Sequence, residues 1–418
     1  MPDVCVIGGG AAGILAALSA ARTGADVLLL ERNEKLGKKL YITGKGRCNF
    51  TNDCDRDAFL AQVPRNPRFL YSALDAFSPQ DMMALLAEAG CPVTVQRGNR
   101  AFPASEKASD VTRALAGCLQ RAGVQVRLNS RVGALTADER RITGLELAGG
   151  ERISARAVIL ATGGLSYPAT GSDGDGHRMA RSLGHDVTPL LPSLIPLESP
   201  AAWVRSLQGL SLRNVSLSCR WDGKIRWQQL GEMLFTHFGI SGPLVLELSS
   251  HLPGDREDLS GLCFRLDLKP GLSPEQLDAR LVREFAAAPR KQLAHVLPAL
   301  LPASLAEVFP ALCGLPGDRS CGSVTREERL RLGETLKALE IPVSRRRPLA
   351  EAIITRGGVY VKEVRPGTME SKRVPGLYFA GELLDTDAHT GGFNLQIAWS
   401  TGFMAGRSAA AYALNWKE

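Results

Sequence analysis

Three glycines near the start of the chain, Gly8, Gly10 and Gly13, have the spacing Gly-x-Gly-x-x-Gly, with Ala11 and Ala12 filling the gap before the last. Each has a physical task in holding a dinucleotide. Gly8 permits a tight turn, Gly10 lets the backbone approach a pyrophosphate, and Gly13 allows close packing of helix on strand. A helix that starts there offers unpaired N–H groups and the positive end of its dipole to the phosphates. Glu31 is then suited to accept hydrogen bonds from both hydroxyls of a ribose, and its charge repels a 2′-phosphate. At the other end of the chain, Gly381-Glu382 closes an apolar run, and Gly391-Gly392-Phe393-Asn394 opens a helix-like one. In two-dinucleotide-binding-domain flavoproteins a last strand and helix of this kind return to the first sheet. The acid then contacts the ribityl-pyrophosphate region and the helix start faces the isoalloxazine. This arrangement points to FAD rather than a nicotinamide as the bound dinucleotide; an ordinary final βα unit is the other reading.

The loop Gly44-Lys45-Gly46-Arg47-Cys48-Asn49 makes sense beside such a ring. Its glycines admit close backbone approach, and Lys45 and Arg47 supply positive charge for an anionic N1/O2 edge or a phosphate. Two roles are open to Cys48. One is a small buried packing residue, the commoner use of a free cysteine. The other is a thiol of lowered pKa beside Arg47 that protonates the carbon opposite the hydride-accepting one. His237, in the turn-rich stretch Phe235 to Pro243, and His389, just before the paired glycines, are candidate general acids or substrate hydrogen-bond donors. A structural histidine is the commoner outcome for each. His177, His185, His251 and His295 form no constellation, and no Cys/His spacing suggests a metal.

The elements that must position these residues are legible. Val4 to Ile7 reads as a buried strand, Ile14 to Arg22 as a helix ended by Gly24, and Ala25 to Leu30 as a second buried strand, completing a βαβ unit. Val158-Ile159-Leu160 is another strand, followed by the turn Ala161-Thr162-Gly163-Gly164. Val374 to Phe379 is the returning one. Ser78, Ser273 and Thr325 begin capping-box helices, and Val93 to Phe102 a hairpin turning at Gly98-Asn99. Leu330, Leu336 and Leu339 are expected to share a buried helix face. Pro189, Pro192, Pro196 and Pro200 mark a crossing between bodies. Beyond them, Val215 to Trp221 and Leu262 to Leu268 alternate apolar and polar residues as half-buried antiparallel strands do. The expected fold is α/β, a Rossmann-like two-dinucleotide-binding-domain FAD fold split by an inserted β-barrel-like and helical module. The expected division is 1–190 and 341–418 for the FAD domain, 191–270 for the antiparallel module and 271–340 for the helical module, with the insertion roofing the flavin.

In order along nearly the whole chain, the sequence resembles the HI0933-like flavoprotein family, also called the BaiN or YhiN group and described as aminoacetone oxidase-type NAD(P)/FAD-dependent oxidoreductases. The resemblance rests on Gly37-Lys38-Lys39-Leu40 leading to Thr43-Gly44-Lys45-Gly46-Arg47-Cys48-Asn49, on Ala161 to Gly164, and on Thr170 to Gly176. It continues in Phe235-Thr236-His237, Thr355-Arg356-Gly357-Gly358, Met369 to Lys372, and Gly381 to Asp385 with Gly391 to Gln396. It implies FAD binding, with Arg32, Lys39, Gly46, Arg47, Asn49, Ala161, Thr162, Gly163, Gly381, Glu382, Gly392, Asn394 and Leu395 as contacts beside those of the first turn. It also implies reduction of conjugated C=C bonds, in bile-acid-like steroids or in uracil of ribosomal RNA. The chain departs from the family pattern at Asp387-Ala388-His389-Thr390, which bears on the acceptor more than on the cofactor.

Composition sets the outer limits. With 418 residues, 44% of them hydrophobic and 22% charged, the chain is of ordinary globular composition and excludes disorder or collagen-like order. Its length calls for more than one core. No apolar stretch reaches the roughly 20 residues of a membrane-spanning helix. Nine scattered cysteines and no leader-like start lead to the expectation of reduced thiols in a cytoplasm. The formal charge of +7 is a weak pointer to phosphate-rich partners. Arg97, Arg100, Lys107 and Arg345 to Arg347 are candidates for a basic rim, and Trp203, Trp221 and Trp227 for stacking on an unpaired base.

Only one dinucleotide fingerprint occurs, so NAD(P)H is expected as a transient donor that visits the flavin through the substrate cleft. The leading expectation is an FAD-dependent reductase passing hydride to an electron-poor C=C, with uracil of 23S ribosomal RNA as a candidate acceptor. The alternatives are a small-molecule ene-reductase or amine oxidase, and a non-catalytic flavin sensor or RNA-binding module.

Overall fold

The computed structural model describes residues 1–139, 141–254 and 256–415. They form two compact units, one of residues 1–193 with 348–418, the other of residues 194–347.

The first unit is built on a five-stranded sheet. In chain order its strands are β1 (Val4–Ile7), β2 (Val27–Leu30), β3 (Gln125–Arg127), β4 (Ala157–Leu160) and β5 (Leu377–Phe379), in spatial order β5-β4-β1-β2-β3. Every pairing is parallel. The residues of β1, β4 and β5 are all buried, as expected when helices cover both faces of a parallel sheet. Helix α1 (Ala11–Arg22) follows β1, and helix α2 (Phe393–Leu414) closes the unit. The two helices cross with no side chain between them: a Cβ on Gly402 would overlap the carbonyl oxygen of Ala12, and one on Gly406 that of Ala16. Further ties fix α2. Trp399 Nε1 donates to the Phe50 carbonyl at 2.9 Å, Gln396 and Ser400 reach the Phe77 carbonyl, and the Gly381 N–H donates to Thr401 Oγ1 at 2.9 Å.

Around this sheet lie a three-stranded sheet of Thr51–Asn52, Arg100–Pro103 and Val93–Gln96, another of Val132–Ala137, Ile142–Leu147 and Arg152–Ser154, and an antiparallel pair of Leu191–Ser193 with Ile354–Arg356. The hairpin turns at Gly98-Asn99, and Ser78 caps the helix Pro79–Glu88 with a full capping box.

The second unit is a seven-stranded antiparallel sheet with helices. Its edge strands are Leu339–Ile341 and Arg345–Arg346. Since a few residues of chain reach only about 3.5 Å each, two edges this close in sequence require the sheet to curl back on itself. That is the barrel-like curvature expected from the alternating pattern. Helices Pro274–Ala287 and Arg326–Lys337 start at capping boxes on Ser273 and Thr325 and share one apolar core with the strands. The expected face of Arg326–Lys337 needs correction. Leu330 is exposed, and Leu332 with Leu336, four apart on one stripe, supplies the buried contact instead. Of the three tryptophans, Trp227 is buried, while Trp203 and Trp221 are half-buried against the same core. The arginine run is also engaged, Arg345 and Arg347 with Glu198 at 2.6 and 2.9 Å, and Arg346 with the carbonyls of Pro253 and Arg256.

Candidate functional site

The first unit converges on the glycine turn after β1. Gly8 has φ +105°, a conformation L side chains rarely adopt, and a Cβ there would meet the backbone of Ala161 at the end of β4. Gly13 packs so closely that its Cβ would overlap the carbonyl oxygen of Gly8, whereas Gly10 faces open space within 4 Å. The three glycines therefore do three different things, and the one assigned to pyrophosphate approach is the one with room. α1 has no side-chain cap and no acid in its first turn, so its leading N–H groups and positive dipole end face that space uncompensated. Glu31 is buried. It accepts from the Gly9 N–H at 2.6 Å and from the backbone and side chain of Asn33 at 2.8 and 2.7 Å, which holds the carboxyl against the turn.

The C-terminal segment completes the cradle. Gly381, with φ +73°, lies against Ala12, where a Cβ would come within 2.7 Å of the Ala12 methyl. Glu382 accepts from Lys39 Nζ at 2.7 Å, from Ser166 Oγ at 2.9 Å and from the Thr355 N–H at 2.8 Å. Burial acts to raise the Glu382 carboxyl, but the Lys39 charge and these hydrogen bonds outweigh it and hold the group below its ordinary value. His177, on the helix Asp175–Ser182, is buried in this neighbourhood; burial pushes it down to about 4 against the pull of Glu382, so the ring is neutral. Gly392 abuts the Thr51 backbone and caps α2, which likewise starts without a side-chain cap or a first-turn acid. Leu395 is half-buried one turn in.

Two side-chain oxygens, Asn49 Oδ1 and Thr162 Oγ1, are buried without a hydrogen bond. Buried polar atoms of this kind are normally satisfied, so they mark where a ligand's polar groups fit. Together with the open Gly10, the two uncapped helix starts and the buried Glu31, they make the donor set one that suits FAD. Asn394 does something else: it accepts from the Ala388 N–H at 2.9 Å and donates to the Ala388 carbonyl at 2.7 Å, holding the loop ahead of the paired glycines.

Other residues singled out in the sequence have different surroundings. Arg32 pairs with Asp173 at 2.5 Å and Asp175 at 3.2 Å. Arg47 pairs with Glu106 at 3.0 Å and lies over the Phe102 ring at 4.5 Å, on the hairpin and away from the thiol it was expected to activate. Cys48 is fully buried, and burial pushes the thiol up to about 12, opposite to the lowering expected beside a cation. Gly46 and Lys45 are exposed, both at positive φ. His237 sits exposed on a hairpin turn of the second unit, edge-on to Phe238. His389 is buried, its N–H donating to the Gln62 carbonyl at 3.0 Å and its Nδ1 lying 3.2 Å from Gln62 Oε1.

Sequence reasoning passed over a cluster beside His389. Asp385 and Asp387 are buried, with Arg65 Nε 3.8 and 3.7 Å away. Ser193 Oγ donates to Asp387 at 2.9 Å, and Asn66 Nδ2 to the Asp385 carbonyl at 2.7 Å. The available signal was the Asp-x-Asp spacing immediately before the paired glycines. The guanidinium of Arg356, 31 residues upstream of Asp387, is brought in only by the fold.

Comparison with known proteins agrees with this geometry. The profile of the HI0933-like protein Rossmann domain matches residues 2–408. A 3-dehydro-bile acid delta(4,6)-reductase of Clostridium scindens is 32% identical over 98% of this chain and 99% of its own. A ribosomal RNA dihydrouridine synthase of Escherichia coli is 32% identical over 98% of each chain. Among solved structures, a 3-ketosteroid delta1-dehydrogenase of Sterolibacterium denitrificans superposes with a TM-score of 0.53 at 14% identity, covering 98% of this chain and 99% of that one, a likeness of fold. With a dinucleotide cradle in its first unit and a family profile spanning almost its whole length, the chain belongs to the HI0933-like family of FAD-dependent oxidoreductases.

Proposed function

We propose that the protein saturates a C=C bond conjugated to a carbonyl, with NADH or NADPH as electron donor, and that its acceptor is uracil in 23S ribosomal RNA, giving 5,6-dihydrouridine. The observation that carries this reading is the full-length similarity, at the same identity, to a bile acid reductase and to a ribosomal RNA dihydrouridine synthase, two proteins whose names share the saturation of such a bond. The charge of +7 favours the polyanionic acceptor of the two.

Bound FAD supplies the two-electron chemistry, accepting and passing on hydride. The chain's contribution is placement and charge. The backbone at Gly10 and the start of α1 receive the pyrophosphate, Glu31 takes the adenosine ribose, and Lys39 with Glu382 fixes the middle of the cofactor. The uncapped start of α2 would offer a positive dipole end to negative charge on a bound flavin. NAD(P)H has no dinucleotide fingerprint of its own, so it and the acceptor occupy the same side of the cofactor in turn.

The test is mass spectrometry of nucleosides from ribosomal RNA of a deletion strain, paired with anaerobic mixing of the purified protein with NADH and NADPH. Loss of dihydrouridine and bleaching of the flavin band support the reading. Unchanged dihydrouridine together with turnover of a steroid enone selects the second reading, a small-molecule ene-reductase, which the bile acid relative favours. No bleaching with either donor points to a flavin sensor.

A further inference from the structure

The second unit leaves one long strand edge without a neighbour. The strand Lys224–Thr236 pairs along its length with Ser211–Trp221, but on its other side only Leu234 to Thr236 are paired, with Gly239–Ser241. From Lys224 to Met233 no strand among the described residues covers that side. Backbone groups point alternately to the two sides of a strand, so about half of those in this stretch have no strand to receive them. The helix Pro243–His251 packs on the inner face, where a Cβ on Gly231 would meet Leu244 at 2.9 Å. Of the residues from Lys224 to Glu232, all but Trp227 and Gly231 are exposed. Ile225 and Leu230, 56% and 62% exposed, are the most exposed large apolar side chains among the described residues after Met1. A register shift between Cys219 and Arg220 turns Ile225, opposite Arg220, onto the outer face that also carries Leu230, opposite Ser216.

We propose that this edge docks a second copy of the chain, the two strands running antiparallel about a two-fold axis near Gln228 and joining the two sheets into one. The charge pattern identifies the occupant. Lys224 and Arg226 stand at one end of the stretch and Glu232 at the other, with no charge between them. Lys224 and Glu232 make no ion pair among the described residues, and Arg226 makes a long one of 3.8 Å with Asp222. A strand with its charges divided in this way is complementary to its own reverse. In a two-fold pair the basic end of each copy faces Glu232 of the other, at both ends of the contact. A parallel pair would set like charges together, and a strand from an unrelated protein would not require such symmetry.

The same arrangement brings Leu230 of each copy beside Ile225 and Arg226 of the other, removing the two exposed apolar side chains from water. The open stretch spans about 30 Å at roughly 3.4 Å per residue. Monomers ordinarily blunt such an edge by shortening the strand, by charging it throughout or by inserting proline. Here the stretch is long, holds no proline and is charged only at its ends. The register shift falls at the basic end, and Trp227 to Gly231 pair with the neighbouring strand without interruption. The inference is independent of the reductase reading.

The test is sedimentation equilibrium of the full-length, FAD-loaded protein at about 1 to 100 μM. Wild type is expected to approach twice the mass of one chain at the upper end of that range. Lys224→Glu with Arg226→Glu, and separately Glu232→Lys, set like charges at both ends and raise the dimer dissociation constant by about 30-fold or more. An equimolar mixture of these two variants makes every facing pair opposite again, and dimer formation returns to within about threefold of wild type. Melting temperature and FAD affinity stay at the wild-type values, because the altered side chains are exposed. Should a charge variant fail to fold, cross-linking decides. Gln228→Cys, at the axis, is joined to its counterpart by a short bis-maleimide, whereas Lys224→Cys, about 27 Å from its counterpart, and wild type are not. A wild type that stays monomeric at about 100 μM, a dimer indifferent to both charge variants, a mixture that stays monomeric, or equal cross-linking at the two positions overturns the proposal.

Discussion

The ammonium of Lys39 lies 2.7 Å from the carboxyl of Glu382, two residues 343 positions apart in sequence. Both are largely enclosed, and the pair joins the segment after the glycine turn to the segment that closes the sheet. Because the Glu382 carboxyl is held below its ordinary value, the pair stabilises the fold above the ordinary carboxylate range, and that stability is lost as pH falls through the depressed value. Lys39→Met leaves a buried carboxyl without its cation. We expect it to lose about 3 kcal/mol of stability at pH 7, with the gap to wild type closing below about pH 4, measured by urea unfolding without added FAD.

Two glycines of one motif are expected to behave oppositely. Gly10→Ala meets no atom within 4 Å and has an ordinary negative φ, so its melting temperature without FAD stays at the wild-type value. Its FAD affinity falls by about 10- to 100-fold, since the methyl occupies the approach of the pyrophosphate. Gly13→Ala drives a methyl into the Gly8 carbonyl and unfolds more easily by about 2 kcal/mol or more, with or without FAD. Equal loss of stability in both variants would falsify the division of labour.

Cys48→Ala is expected to cost about 1 kcal/mol of stability, through a small cavity, and to leave acceptor reduction and its pH profile unchanged. Iodoacetamide applied to the folded protein should leave Cys48 unlabelled, because the thiol is enclosed and its pKa is pushed up to about 12. Rapid labelling at pH 7 would contradict this.

Asp387 carries a stability signature as well. Its folded value of about 6 lies above the ordinary 3.8, so the folded state binds its proton more tightly, and wild-type stability falls as pH rises between those values. Relative to wild type, Asp387→Asn should gain up to about 3 kcal/mol between pH 4 and pH 7 and no more beyond, as read by denaturant titration at each pH. The opposite slope would mean that the arginines, not burial, govern this carboxyl.

The cradle was legible because its parts are local. Gly8 to Gly13, the buried runs on either side and Glu31 encode a βαβ unit within one short stretch, and the apolar run ending at Gly381-Glu382 does return to the sheet beside β4. The three capping boxes and the Gly98-Asn99 hairpin were readable for the same reason. What escaped was decided by contacts distant in sequence. Arg47 looks like a neighbour of Cys48 along the chain, yet its side chain leaves toward Glu106, and the thiol enters the core. The cluster of Arg65, Ser193, Arg356 and Asp387 draws from four separated segments, and no periodicity joins them. Leu330 fits a helical stripe as well as Leu332 does until the position of the core is known.

The bare contact of Gly402 and Gly406 with the carbonyls of Ala12 and Ala16 has a consequence for biosynthesis. The partner that α1 is shaped to receive lies far downstream, at Phe393–Leu414, so the nucleotide fold cannot be sealed until that segment has left the ribosome. Until then α1 waits with an uncovered apolar flank, and seating of the vitamin-derived cofactor is expected to follow synthesis of that later segment.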